Sequence, residues 1–257
     1  MNTHTLLVAY RTIVVKEVRR FSRIWVQTIL PPVITTALYF IIFGQLIGSQ
    51  LADVQGFSYM DYIVPGVILM TVITNSYANV VSSFYSSKFG RFVEEMLIAP
   101  IPNYVILLGY LTGGVARGVA VGMAVTAVAA FFTDIHVAHL GLAVAVVLLT
   151  SFLFSLGGFI NAVYAKSFDD ISIIPTFVLT PLTYLGGVFY SVEMLPDFWQ
   201  DVSHLNPILY MVNAFRHGLL GVSDVSVATA IAVTLAFIAV LYAYCLWLLR
   251  RGVGLRT

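Results

Sequence analysis

The sequence predicts an all-α integral membrane protein with six transmembrane helices. Of its 257 residues, 60% are hydrophobic and only 10% are charged, and the mean hydropathy is +0.94. This composition leaves too little polar surface for a soluble globule. Charge-free intervals of at least about 20 residues, enough to cross a bilayer as helix, recur along the chain. We therefore expect one transmembrane domain over residues 1–257, without a separate soluble domain.

The charge-free intervals place the six spans. They are predicted at about residues 26–47, 62–84, 104–132, 140–165, 171–190 and 227–249. The segment before the first span holds five Lys and Arg residues and the tail holds three, whereas loops 48–61 and 132–139 hold none. Because cytoplasmic loops carry the excess of Lys and Arg, both termini are expected in the cytoplasm.

Residues 5–25 are predicted to form an amphipathic helix in the membrane interface. Its apolar residues follow helical spacing, and its basic residues lie mostly off that stripe. The stripe consists of Leu7, Tyr10, Val14, Val18, Phe21 and Trp25. The segment is too basic for a cleavable signal peptide, so we expect it to be retained. Its cations favour anionic lipid, and the helix is either a topogenic anchor or also a contact for a cytoplasmic partner.

Polar residues inside the second and third spans are candidates for lining a translocation path. Asn75 and Asn79 lie in span two, where polar side chains either join helices or line a wet cavity. Arg117 lies about midway along span three, where an unpaired cation costs about 2.5–3.5 kcal/mol. It needs a partner or water, and both a structural role and a substrate contact remain open. Five glycines in span three allow close approach of a neighbouring helix.

The fifth span is interrupted and is preceded by two carboxylates. Pro175, Pro181 and a Gly-Gly pair break it, and irregular backbone at membrane depth requires protein or a water-filled cavity around it. We therefore add Pro181 and Tyr184 to the candidate path-lining residues. Asp169 and Asp170 stand just before this span. Acid/base or metal chemistry is one interpretation of the pair, and a helix N-cap with a favourable dipole charge is the other.

Residues 195–221 are predicted to form a re-entrant helical hairpin on the outer side. The segment contains two apolar stretches that are each too short to cross the bilayer, so they are expected to enter the membrane and return. Its single Arg216 stands among acidic residues, which is typical of an outward-facing segment.

A short charged helix is predicted over residues 87–99 in the first inner loop. Its apolar residues follow i, i+3, i+4, i+7, i+8 spacing. They are Phe89, Phe92, Val93, Met96 and Leu97. The charged residues lie largely off this face, and Arg91 is placed to pair with Glu95. The face either lies on lipid headgroups or docks into a groove on another protein, and the mixed charges favour a protein. Pro100 and Pro102 predict the end of the helix.

The sequence lacks the motifs of an enzyme or of an autonomous pump. No Gly-Lys-Ser/Thr phosphate loop, His-Glu-x-x-His pair or Gly-x-Ser-x-Gly elbow occurs in it. Every Asp and Glu is expected in a loop or at a span end, whereas ion-coupled transporters keep carboxylates at mid-membrane. Cys245 is the only cysteine and the histidines are scattered, so neither a metal site nor a catalytic site is predicted. If the protein moves a substrate, the energy enters through a partner.

In the order of these elements the chain resembles the permease subunits of ABC-2 type transporters. The resemblance rests on RFVEEMLIAPI in the first inner loop, on NPILYMVNAFRHGLLG before the last span, and on six spans after an interfacial helix. In the second motif, Asn206 and Pro207 open a signature in which Arg216 and Gly221 follow. Within this family, the chain resembles permeases of the bacterial inner (plasma) membrane.

The resemblance implies an exporter that contains two copies of this chain and two cytoplasmic ABC-type ATPase subunits. ATP and Mg²⁺ would bind to the ATPase, and no cofactor is expected on this chain. The interface with the ATPase would consist of Phe89, Arg91, Phe92, Glu94, Glu95, Met96, Leu97, Asp169 and Asp170. An outer re-entrant gate would consist of Phe198, Asn206, Pro207, Arg216 and Gly221.

The resemblance implies less about the cargo. An amphipathic, lipid-linked, glycan or drug-like substrate would suit the apolar spans, with membrane lipid around the complex and no nucleic acid partner. Two alternatives from other classes are a self-contained secondary transporter or channel and a membrane-embedded lipid-modifying enzyme.

Overall fold

The computed structural model describes residues 2–50 and 53–254, and this part of the chain is helical without β-strands. Its α-helices are α1 (Thr3–Arg23), α2 (Trp25–Tyr39), α3 (Tyr59–Phe89), α4 (Phe92–Ile98), α5 (Asn103–Ala129), α6 (Leu140–Tyr164), α7 (Asp170–Ile174), α8 (Thr180–Tyr184), α9 (Asp197–His204), α10 (Pro207–Leu220) and α11 (Val227–Arg251). Phe40–Ile47 continues α2 as π-helix, and Pro175–Leu179 joins α7 to α8 in the same form. The all-α class is confirmed.

Among the described residues, five helices are long and apolar enough to cross a membrane. They are Trp25–Gly44, Tyr59–Phe89, Asn103–Ala129, Leu140–Tyr164 and Val227–Arg251. The predicted fifth span is shorter than expected, because it consists of three consecutive five-residue segments from Asp170 to Tyr184. At about 1.5 Å per residue these reach about 22 Å, less than the hydrocarbon thickness of about 30 Å. The count of six spans therefore stays a prediction.

Helix α3 forms the centre of the bundle. Most of its length is buried, whereas α2 and α11 are largely exposed. It packs between α5 and α6, and α10 packs against α3, α6 and α11. The exposed apolar faces of α2 and α11 are the surfaces that lipid or another chain would cover.

Helix α1 packs against α5 with a face that overlaps only the middle of its predicted apolar stripe. Ile13 and Glu17 are buried there, whereas Leu7 and Trp25 at the ends of the predicted stripe are exposed. The close approach is possible because glycines of α5 face α1: a Cβ atom at Gly109 would lie 2.6 Å from Ile13 Cγ2. The amphipathic pattern was correct about the helix and incomplete about its buried side.

The predicted helix 87–99 is divided in two by a turn. Helix α3 continues to Phe89, and α4 begins at Phe92 after Gly90 and Arg91, whose φ is +61°. Arg91 therefore lies before α4 and outside helical register with Glu95. The predicted pairing of these two residues is not formed within the described part of the chain, where the ion pairs within 4.0 Å are those of Glu17.

Local capping signals set the bounds of α10. The Asn206 side chain accepts a hydrogen bond from the backbone N–H of Ile208 at 3.0 Å, and Pro207 takes the first helical position. Gly221, with φ of +79°, ends the helix in the left-handed conformation that glycine adopts without steric cost. Helices α9 and α10 lie where the hairpin 195–221 is predicted, and its membrane depth stays a prediction.

Candidate coupling surface and polar track

The predicted apolar face of the charged helix is divided between the interior and the surface. Val93 is 2% exposed, and Met96 and Leu97 are partly buried against the bundle. Phe89 and Phe92 are 69% and 60% exposed. Residues 93, 96 and 97 follow helical spacing and pack α4 against the helical bundle. Of the predicted apolar face, the two phenylalanines therefore remain available for a partner.

An exposed aromatic patch joins the two inner loops. It consists of Phe89 and Phe168, which are exposed, and of Tyr85, which is buried and contacts both rings. The Phe168 ring lies 5.2 Å from the Phe89 ring and 4.9 Å from the Tyr85 ring between centroids, both edge-on, a favourable aromatic geometry. Sequence reasoning selected the loop around Asp169 as a second contact but missed Phe168, whose only signal was a large apolar residue among polar neighbours. The structure unites the two loops in one surface.

Polar contacts position the loop that carries Phe168. Lys88 Nζ donates hydrogen bonds to the carbonyl oxygens of Val163 at 2.6 Å and Ala165 at 2.8 Å, at the end of α6. Asp170 accepts from the backbone N–H of Lys166 at 2.8 Å and from the Ser167 hydroxyl at 2.8 Å. These bonds, that of Lys166 first, lower the pKa of the Asp170 carboxyl.

The Asp169–Asp170 pair therefore orders a loop. Asp169 occupies the N-cap position of α7 without a side-chain capping bond, while Asp170 binds the preceding turn. Among the described residues, no group of three His, Cys, Asp or Glu side chains is placed to hold a metal ion. The predicted N-cap is occupied by Asp169 in position only, and Asp170 is the acidic residue in the first turn of α7.

Two grooves flank α4. The first, here the α1 groove, has a volume of about 590 Å³. It is lined by Lys16, Arg20, Ser83, Ser86, Ser87, Phe92, Glu95, Met96, Ala99 and Ile101. The second, the α11 groove, has a volume of about 610 Å³ and includes Glu94, Leu97 and Arg250 in its lining. Glu94 and Glu95 thus face different grooves, although they are adjacent in sequence.

A fully buried carboxylate lies behind the α1 groove. Glu17 is 0% exposed, and the Ser83 hydroxyl donates to its Oε1 at 2.5 Å. Lys16 Nζ lies 3.7 Å from Oε1, and Arg20 Nε lies 3.6 Å from Oε2. Sequence reasoning missed Glu17, because the residue lies outside the spans and was expected at a surface. The signal in the sequence is its position one helical turn after the apolar Ile13.

From Glu17, a polar track leads along α3. Arg20 Nη2 donates to the backbone carbonyl and to the side-chain Oδ1 of Asn79, both at 2.8 Å. One turn further, Arg117 Nη2 donates to Asn75 Oδ1 at 3.2 Å. The predicted path-lining residues Asn75 and Arg117 are thus brought together, and Asn79 holds the interfacial helix. Arg117 has the partner that its position requires.

The two candidates from the fifth predicted span lie elsewhere. Pro181 and Tyr184 are exposed on α8, and the Tyr184 hydroxyl lies 3.4 Å from that of Tyr39. No hydrogen bond within the described residues joins them to Asn75 or Arg117. The five path-lining candidates therefore form two separate sets.

Most predicted gate residues fix the position of α10. Arg216 is fully buried, donates from Nη2 to the Gly187 carbonyl at 2.6 Å, and stacks 4.0 Å from the Tyr62 ring centroid. Asn206 Nδ2 donates to the Leu182 carbonyl at 2.6 Å. Arg216 therefore ties α10 to the segment after α8, and Asn206 ties the start of α10 to α8 itself. Phe198 is exposed on α9.

Comparison with known proteins places the whole chain in context. Residues 8–220 match the family model of the ABC-2 type transporter. The chain is 58% identical over 255 residues to the inner membrane transport permease YadH of Escherichia coli strain K12, covering 99% of each protein. It is 25% identical over 215 residues to nodulation protein J of Rhizobium leguminosarum bv. viciae, covering 83% of each.

Proposed function

The chain belongs to the ABC-2 type transporter family, and from this premise we propose that it is the transmembrane permease subunit of an exporter driven by a separate ATPase subunit. A role as transport permease of the inner membrane follows the 58%-identical relative that bears this name. Two copies of the chain form the substrate path, and two cytoplasmic ATPase subunits bind and hydrolyse ATP with Mg²⁺. The chain itself contributes no ATP site.

The exposed aromatic patch is the observation that supports this coupling. Phe89 and Phe168 come from different loops, and yet they contact each other with large exposed fractions of 69% and 52%. A soluble domain rarely leaves such aromatic side chains in water without a partner, and buried aromatic anchors dominate the energetics of protein interfaces. The patch and α4 form the surface that docks into a groove of the ATPase.

Movement of the ATPase reaches the spans through α3. The patch residues Tyr85 and Phe89 belong to this helix, and α3 is the central element of the bundle. Val93 anchors α4 to the same bundle. A displacement at the patch is therefore applied to the helix that carries Asn75 and Asn79.

The proposed substrate is an amphipathic, lipid-linked, glycan or drug-like molecule.

The test removes the patch in the double variant Phe89→Ala, Phe168→Ala. Because truncation of an aromatic anchor typically costs 1–2 kcal/mol or more, we expect affinity for the partner ATPase to fall at least about tenfold. Permease-dependent ATP turnover falls with it. Pull-down from membranes and ATPase assays in liposomes measure the two effects.

A matched control is Phe131→Ala, which truncates a phenylalanine that is 88% exposed beyond the end of α5. Size-exclusion profiles verify that the variants fold. A second variant, Glu94→Lys with Glu95→Lys, reverses the charge of α4 and is also expected to abolish coupling while membrane insertion persists. Unchanged ATP turnover in both double variants would contradict the proposal.

A further inference from the structure

The α1 groove has charged groups of opposite sign on its two walls. Lys16 and Arg20 come from α1, and their side chains are 49% and 29% exposed. Glu95 comes from α4 and is exposed on the other side. Within the described residues, neither cation lies within 4.0 Å of Glu95, since their ion pairs are with Glu17. The groove therefore separates two charges that do not neutralise each other.

Lys16 is prepared to bind an anion in this groove. Its Nζ donates to Ser87 Oγ and Tyr110 Oη, each at 3.2 Å, and Glu17 lies behind it at 3.7 Å. An ammonium group has three N–H bonds, so one donor remains beyond the two hydroxyls, and a phosphate would share it with the Glu17 carboxylate. The two hydrogen bonds hold the side chain in place, which lowers the entropy that binding would cost.

Glu95 supplies the complementary acceptor. Its carboxylate makes no hydrogen bond and no ion pair to other residues in the described part of the chain. Between the two charges, the groove is apolar. The apolar lining consists of Phe92, Met96, Ala99 and Ile101. A ligand that fits both walls has a phosphate, a cationic donor and an apolar body.

We propose that the α1 groove binds a phospholipid with a zwitterionic headgroup that ends in a primary ammonium, as in phosphatidylethanolamine. The phosphate contacts Lys16, the ammonium donates to Glu95, and the glycerol and first methylenes lie along Phe92 and Met96. An anionic lipid such as phosphatidylglycerol offers Glu95 no cationic partner. Phosphatidylcholine has no N–H to donate to it. Binding at this site needs only the permease and lipid, so it can be measured without the ATPase.

Native mass spectrometry of the full chain in detergent, titrated with each of the three lipids, tests this site. An exposed charge pair contributes up to about fivefold in affinity, so phosphatidylethanolamine is expected to bind about fivefold more tightly than the other two. In Glu95→Gln the preference over phosphatidylcholine disappears. Glu94→Gln, which faces the α11 groove, retains it and serves as the matched control.

Two further variants separate the two walls. Lys16→Gln weakens phosphatidylethanolamine and phosphatidylcholine by the same factor, because both carry the phosphate, whereas Arg19→Gln on the exposed side of α1 changes neither. Glu95→Lys, a surface substitution that preserves the fold, reverses the preference towards phosphatidylglycerol. Equal binding of the three lipids to the unmodified chain, tighter binding of phosphatidylglycerol, or identical behaviour of Glu94→Gln and Glu95→Gln would overturn the proposal.

Discussion

At the scale of single residues, Glu17 and Arg216 show two ways to bury a charge. Glu17 has two cations and a serine hydroxyl around it. Arg216 has a backbone carbonyl and the face of Tyr62. A buried charge is costly without such partners, so each side chain constrains the element that surrounds it. Glu17 constrains the first helix, and Arg216 constrains the outer hairpin.

Replacing Glu17 tests the first of these constraints. In Glu17→Ala, Lys16 and Arg20 lose their counter-charge and Ser83 loses its acceptor. We expect the free energy of unfolding to fall by about 3 kcal/mol. This value is at the lower end of the cost of breaking a buried ion pair, because both cations keep some access to solvent. Denaturant unfolding in detergent micelles measures the change.

The control is Glu94→Ala, which removes a carboxylate at the rim of the α11 groove. A surface substitution of this kind is expected to stay within about 0.5 kcal/mol. Equal stability of the two variants would show that the buried carboxylate contributes nothing beyond a surface charge.

At the scale of elements, glycines decide how α1 meets the bundle. A Cβ atom at Gly113 would lie 2.5 Å from Glu17 Cβ, below any normal contact distance. The glycine content of the third span predicts close helix approach, and this is confirmed. The partner of Gly113 is the N-terminal helix, which the glycine spacing alone does not identify.

The variant Gly113→Ala separates these helices. Because the added methyl group meets a backbone-proximal atom of Glu17, α1 has to shift, and overpacking of this kind costs about 1–3 kcal/mol. Gly141→Ala is the matched control, since a Cβ atom there meets nothing within 4 Å. The same unfolding measurement compares them, and a Gly113→Ala variant as stable as Gly141→Ala would refute the packing role of this glycine.

At the scale of the whole molecule, the open question is the side of the membrane on which the chain ends. If only the five long apolar helices cross, the number of crossings is odd, and α1 and the tail lie on opposite sides of the membrane. If the shorter helical segment from Asp170 to Tyr184 also crosses, both lie on the same side. The positive-inside pattern favours the second arrangement.

Cysteine accessibility distinguishes the two arrangements. The only cysteine, Cys245, is buried and is replaced by alanine to provide the background. Exposed Asp169 and Asp201 flank the segment in question, and each is changed to cysteine. With six crossings, a membrane-impermeant maleimide added to spheroplasts labels only the cysteine at 201. Equal reactivity of the two positions in intact spheroplasts, with neither or both labelled, would reduce the count to five, and detergent-permeabilised cells confirm that both sites react.

Much of the architecture follows from neighbouring residues in the chain. Hydropathy over about 20 residues predicts the long helices, because the bilayer imposes a length and helical hydrogen bonds are local. The bounds of α10 follow equally from Asn206, Pro207 and Gly221, whose capping partners lie within a few positions. The resemblance to ABC-2 permeases rests on the same kind of information, the order of local motifs.

The composition of the candidate site depends on residues far apart in the chain. Arg117 binds Asn75 across 42 positions, Ser83 binds Glu17 across 66, and the Phe168 ring contacts Phe89 from another loop. Helical periodicity gives the faces of a helix but not the neighbour that each face meets. For this reason the sequence predicts that the charged residues of the segment 87–99 lie on a surface. The division of the apolar face of this segment and the burial of Glu17 depend on how the helices pack.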